Sequence, residues 1–247
     1  MSETIAVWFS SGSASAVAAL KTLEKYSGEF NVRIINNPVI EEDVDNLRFK
    51  DDVEKFLGVK IETAVNNKYP NCSAKEVWEK RRYMSGPAGA PCTGELKKKA
   101  RQQWEEINRP EHTVLGFTAD EKKRHERFIR NERLLLPVLI DESLTKGDCF
   151  NIIAREGIQR PRIYDQGYPN ANCIGCVKAS SPTYWNHVRK QHPLVFQDRA
   201  EQSRDIGAKL AVVKGARTYL DELSPDAIGR PMKNLDFECG IFCEEIT

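Results

Sequence analysis

Seven cysteines are spread along the chain, and two of the intervals between them are short: Cys173-x2-Cys176 and Cys239-x3-Cys243. Thiolates at CxxC spacing sit on one side of a turn, where they chelate one ion or one face of a cluster. Seven are too many for a reduced chain to carry without use and too sparse for a disulfide framework. Metal binding or redox chemistry is therefore expected of the tight pairs. Cys72 and Cys149 have no partner pattern and read as buried apolar cysteines. His112, His125, His187 and His192 show no ligand spacing and read as structural.

The second chemical feature is the run Phe9-Ser10-Ser11-Gly12-Ser13-Ala14-Ser15-Ala16, which follows an apolar stretch and precedes a helical pattern. A strand-to-helix turn of small residues lets an anion approach the main chain, with amide donors and the positive end of the helix dipole aimed at it. A serine-rich helix cap is the alternative. Neither GxxxxGK[ST] nor GxGxxG is present.

The elements that must hold these residues alternate. Ile5 to Phe9 reads as a strand, a helix runs to about Tyr26, Val32 to Ile35 is a strand, and Glu42 to Phe56 is a helix. A charged helix from about Gly94 to Ile107 leads to a strand from His112 to Phe117, and Leu134 to Ile140 reads as a further strand broken by Pro137. That order predicts an α/β fold, a three-layer open parallel sheet of Rossmann type, over residues 1–160. After Arg160, the residues Pro161, Gly167, Pro169, Asn170 and Asn172 punctuate a loop into the CxxC. Residues 161–247 are expected to form a cysteine-bearing helical region packed on the sheet domain, with helices over Thr183 to Gln191 and Leu194 to Gly207 and a polar tail. Tyr184, Trp185 and Arg189, at helical spacing, read as core with a solvated rim rather than as a base-stacking face.

Net charge is +1, from 37 basic and 36 acidic side chains, so no global field draws the chain to nucleic acid or an anionic membrane. No run approaches the roughly 18 apolar residues of a membrane span, and Met-Ser-Glu-Thr lacks the features of a secretory signal. A cytoplasmic location without membrane contact is expected.

Several segments together carry a family resemblance. Ser10, Gly12 and Ser15 are in register with the SGGxDS loop of the PP-loop nucleotide hydrolases, with Ser11 in place of a glycine and Ala14 in place of the aspartate. Asn36-Asn37-Pro38 is similar to the segment where that family's nucleotide base lies. Pro91-Cys92-Thr93-Gly94 opens a basic helix with Lys97 and Lys98. Gly116, Asp120, Glu121 and Arg124 resemble the GxxxDExxR segment of phosphoadenosine-phosphosulfate (PAPS) reductases. Tyr164 to Cys176 resembles YxxGxxxxxCxxC, and Glu238-Cys239-Gly240-Ile241 resembles the terminal ECGL, with Phe242 at the family's histidine position. The matches follow in order from Ser10 to Cys243. The chain is especially similar to short reductase-like proteins of phages and prophages, which share the CIGC, a YWNH-like helix and a terminal ECGIFC.

The resemblance implies an adenine nucleotide alpha-hydrolase-like fold that binds PAPS, its 3′-unphosphorylated form APS, or ATP. The implied nucleotide contacts are Ser10, Ser11, Gly12, Ser13, Ser15, Asn37, Lys97, Gly116, Asp120, Glu121 and Arg124. It further implies that Arg124 grips an oxyanion while Cys239 attacks the sulfonucleotide sulfur. Cys92, Cys173 and Cys176 would hold a four-iron four-sulfur cluster, with Cys243 or Cys239 as fourth ligand or with one iron left open to sulfide; zinc and a free redox dithiol are the alternatives. Implied partners are the nucleotide, a thioredoxin-type reductant and a second copy of the chain. ATP-dependent thiolation of tRNA or DNA is the rival reaction and the sole one that brings in nucleic acid. The Ala14 replacement argues against it. A non-catalytic nucleotide-binding protein with structural zinc is a third reading.

Overall fold

The computed structural model describes residues 2–86, 89–129 and 134–235. In chain order the elements are β1 (Thr4–Phe9), α1 (Ser13–Tyr26), β2 (Asn31–Asn36), α2 (Asp45–Leu57), β3 (Ile61–Thr63) and α3 (Ala74–Arg81). A π-helix (Thr93–Lys99) precedes α4 (Ala100–Asn108), and β4 (His112–Val114), α5 (Lys122–Ile129), β5 (Leu135–Leu136), α6 (Val138–Asp141) and α7 (Lys146–Arg155) follow. The remainder is α8 (Pro182–Gln191), α9 (Pro193–Ile206), β6 (Ala211–Val213) and β7 (Ala216–Thr218). The chain divides into two units. The first is Met1–Pro38, Val44–Val65 and Arg101–Arg162; the second is Val39–Asp43, Asn66–Ala100 and Ile163–Thr247.

The first unit is an α/β fold built on a parallel sheet ordered β3-β2-β1-β4-β5. β1 reads Thr-Ile-Ala-Val-Trp-Phe and is buried from Ile5 onward, as a central parallel strand covered on both faces must be. Ile5, Val7 and Phe9 point to one side, where they pack with Ala16 to Ala19 of α1, Phe49 and Val53 of α2, and Ile152 and Ile153 of α7. Trp8 points to the other and meets Trp104 of α4 edge to face at 5.6 Å. Arg33 lies over the Trp104 ring at 4.7 Å and grips Glu62 through two bonds, of 2.6 and 2.5 Å. Helices thus cover both faces of the sheet.

The second unit gathers α3, the π-helix, α8, α9 and the antiparallel β6–β7 hairpin around an apolar core that includes Trp78, Met84, Tyr184 and Trp185. Segments 39–43 and 66–100 belong to it, so the division differs from a single boundary at residue 160. The strand expected over Leu134 to Ile140 ends at Leu136, because Pro137 has no N–H to continue a ladder; Val138 to Asp141 turn helical instead. Past Gly207 the expected polar tail begins with the β6–β7 hairpin. No helix among the described residues is long and apolar enough to cross a membrane.

Candidate functional site

In the first unit the strand order reverses between β1 and β4, and crevices at such reversals, outside the carboxyl ends of the strands, are where open α/β sheets bind ligands. The serine turn after β1 lies there. Ser15 Oγ accepts from Ser10 N–H at 3.1 Å and donates to the Gly12 carbonyl at 2.8 Å, with the Ser10 hydroxyl 3.3 Å away, so the turn is closed by its own side chains. The N-cap of α1 is Gly12, with no side-chain cap bond and no acidic residue in the first turn. The leading amides of the helix therefore have no partner within it and present positive potential. Ser13 is 1% exposed, and its hydroxyl has no hydrogen-bond partner among the described residues.

Two neighbours shape this turn. Gly116, just past β4, comes so close that a Cβ there would meet Ser15 backbone atoms at 2.8 and 2.9 Å. Asn36, at the end of β2, donates from Nδ2 to the Phe9 carbonyl at 2.8 Å and lies 3.4 Å from Ser11 Oγ. Sequence reasoning passed over Asn36 in favour of Asn37. Asn37 is buried and donates to the Ala64 carbonyl at 3.0 Å, tying β2 to the chain beyond β3.

The remaining expected contacts make local structure. Glu121 closes a capping box on Thr118, accepting from its amide at 3.2 Å and its hydroxyl at 3.3 Å. Asp120 accepts from the Lys146 amide at 3.2 Å. Arg124 pairs with Glu121 at 2.8 Å and lies over the rings of Phe117 and Phe128. In the second unit the Lys97 side chain is buried and pairs with the equally buried Glu42 side chain at 3.2 Å. Lys146, which no motif singled out, has its ammonium pKa lowered by burial, against the pull of Glu121.

The second unit also brings cysteines together. Cys173 and Cys176, 7% and 5% exposed, belong to its apolar core, and half-buried Cys92 packs against that core. The CxxC turn passes through Gly175 at φ +68°, a conformation that favours glycine. The Cys176 amide donates to Tyr184 Oη at 2.8 Å. Burial pushes the Tyr184 phenol well above its usual range, with Cys176 and Tyr168 adding to the effect, so it stays neutral. Cys239 and Cys243 lie outside the described residues.

Among the described residues no three His, Cys, Asp or Glu side chains group as ligands of one ion. Cysteine thiolates ligate an iron–sulfur cluster and zinc alike, so Cys92, Cys173 and Cys176 fit either group in donor type.

No protein-family model and no curated protein matches the chain. Among solved structures, it is similar to the U34-tRNA thiolase NcsA from Methanococcus maripaludis with its [4Fe-4S] cluster, at 11% identity and a TM-score of 0.45, over 83% of this chain and 69% of that one.

Proposed function

We propose that this protein is a PP-loop-type enzyme that binds an adenine nucleotide in its first unit and carries out cysteine-dependent sulfur chemistry, with reduction of a sulfonucleotide as the reaction. The observation that carries the reading is that Cys173 and Cys176 belong to one apolar core and Cys92, from a distant part of the chain, packs against the same core. Supporting it is the serine turn, whose helix start has no side-chain cap and no acidic residue in its first turn, which suits a phosphate.

The amides and hydroxyls of the Ser10 to Ser15 turn hold the nucleotide phosphate, and Gly116 keeps that turn in place. The family resemblance assigns attack to Cys239. Its thiolate forms a bond to the sulfonate sulfur while the bond from that sulfur to the phosphate oxygen breaks, and the nucleoside phosphate leaves with the electron pair. A second thiol, from a thioredoxin-type reductant or from Cys243 where it does not ligate the cluster, then attacks the Cys239 sulfur, releasing sulfite and leaving a disulfide. Cys92, Cys173 and Cys176, with Cys243 as fourth ligand, would hold a four-iron cluster, whose irons would supply Lewis-acid and redox chemistry.

Thiolation with ATP, which needs an adenine nucleotide at the serine turn and a cluster iron open to sulfide, is the second reading. Anaerobically purified protein incubated separately with PAPS, APS and ATP decides. Sulfite and adenosine phosphate from PAPS or APS with thiol support reduction; AMP from ATP with sulfur incorporated into RNA or DNA supports thiolation. Turnover of none of them, with nucleotide still bound, removes both.

A further inference from the structure

The core of the second unit buries a cation for which the surrounding protein supplies too few acceptors. Arg199, on α9, is 2% exposed. Its Nη1 donates to Gln202 Oε1 at 2.9 Å and stands 4.0 Å from Asp198 Oδ2. Asp198 is 44% exposed and already holds Lys75, so it offsets little of the buried charge. The guanidinium stacks on Trp78 at 4.4 Å. Neither Arg199 Nε nor Trp78 Nε1 has a hydrogen-bond partner among the described residues. Two unmet donors and a weakly compensated cation in an apolar core are costly unless an anion stands beside them.

The neighbouring chemistry supplies one. Arg199 Nε lies against the CIGC turn: a Cβ added at Gly175 would be 3.6 Å from it. The turn's own amide at Cys176 is occupied by Tyr184, which leaves the sulfurs of Cys173 and Cys176 as its ionisable groups. We propose that Arg199 is a positioning residue that supplies the counter-charge for the sulfur anions of the CIGC turn and so for the metal group they hold. In naming that group an iron–sulfur cluster, the inference rests on the function proposed above. A fixed cation beside a cluster stabilises its more negative, reduced state, so it raises the reduction potential and slows loss of metal.

The test uses full-length protein purified anaerobically as wild type, Arg199→Met, Arg199→Gln and Arg199→Lys. Iron and sulfide per chain, midpoint potential by dye-mediated titration and iron loss to a chelator are measured. Expected are a lower potential in Arg199→Met and Arg199→Gln, a smaller shift in Arg199→Lys, and metal retention weakened by about 10- to 100-fold in the neutral variants. AMP binding reports that the first unit is intact, and Arg199→Lys serves where the neutral variants fail to fold. A neutral variant, or a lysine variant in that case, that matches wild type in both potential and iron loss overturns the proposal. Wild-type protein holding zinc defeats the cluster reading alone, and the same chelator race on zinc then judges Arg199. If wild type holds no metal, alkylation of Cys173 and Cys176 by iodoacetamide at pH 7 judges it: slower labelling in Arg199→Met supports the role, and equal rates end it.

Discussion

Gly116 and Ser15 approach so closely through their backbones that a single carbon added to Gly116 would stand 2.8 Å from Ser15 N and 2.9 Å from Ser15 Cα. Both obstacles are main chain at the start of α1, so no side-chain rotation relieves them. Gly116→Ala must displace either the exit of β4 or the turn that meets the phosphate. We expect a stability loss of about 1–3 kcal/mol and nucleotide affinity lower by about tenfold, or about 1.4 kcal/mol. Calorimetric titration with an adenine nucleotide checks it, and wild-type affinity in the variant would show that the contact does not govern the site.

Ser11 sits at φ +57°, a left-handed conformation that costs a side-chain-bearing residue about 1–2 kcal/mol. Its hydroxyl recovers little, since Asn36 is 3.4 Å away. Ser11→Gly should therefore raise stability by up to about 1 kcal/mol, net of the added freedom of the unfolded chain. Ser11→Val should lower it, because a β-branched residue tolerates positive φ worst. Urea midpoints order the three proteins; a glycine variant that unfolds before wild type would rule out strain at this position.

What the sequence disclosed and what it hid follow the range of the interactions. The continuous apolar run of β1, the small-residue turn after it and the break at Pro137 are local signals, and each corresponds to a feature of the fold. Tyr184 and Trp185, at helical spacing, are core, and Arg189 lies over Phe196 at 4.3 Å. β3 spans three residues and is too short to show a period. Nothing near Lys97 in sequence betrays Glu42, the buried carboxylate it pairs with. Cys92 reads as part of the sheet domain, yet segment 66–100 folds with the CxxC. Arg199 carried no motif; its interest comes entirely from burial beside Gly175.

His125 is buried edge-on against Phe117, with no partner for Nε2 among the described residues. Burial holds its pKa below the usual value near 6.5, and a hydrogen bond to the Leu135 backbone only partly opposes this. The folded protein thus prefers the neutral ring. Its contribution to stability is full above pH about 6.5 and is lost as pH falls through the lowered folded value. His187, lowered by burial as well, acts in the same sense. Urea unfolding at pH 7.5 and pH 5 should show wild type losing more stability on acidification than His125→Phe. Equal losses in the two proteins would mean that His125 does not titrate across this window.

The cysteines should separate cleanly by reactivity and by metal. Cys149 is fully buried in α7, and burial pushes its thiol up to about 12, with Asp148 adding to the shift. Cys72 is raised in the same way, by burial first and Glu41 second. Both stay protonated at neutral pH, and thiols are poor nucleophiles and poor ligands. Iodoacetamide at pH 8 should leave Cys149 and Cys72 unlabelled in the native protein. Cys149→Ala should keep its full iron content, at a stability cost of about 1–2 kcal/mol for the lost packing. Cys92→Ala, Cys173→Ala and Cys176→Ala should each lose iron while still binding nucleotide through the serine turn. Iron that survives removal of Cys176, or that leaves with Cys149, would show that the sulfur site has been assigned to the wrong side chains.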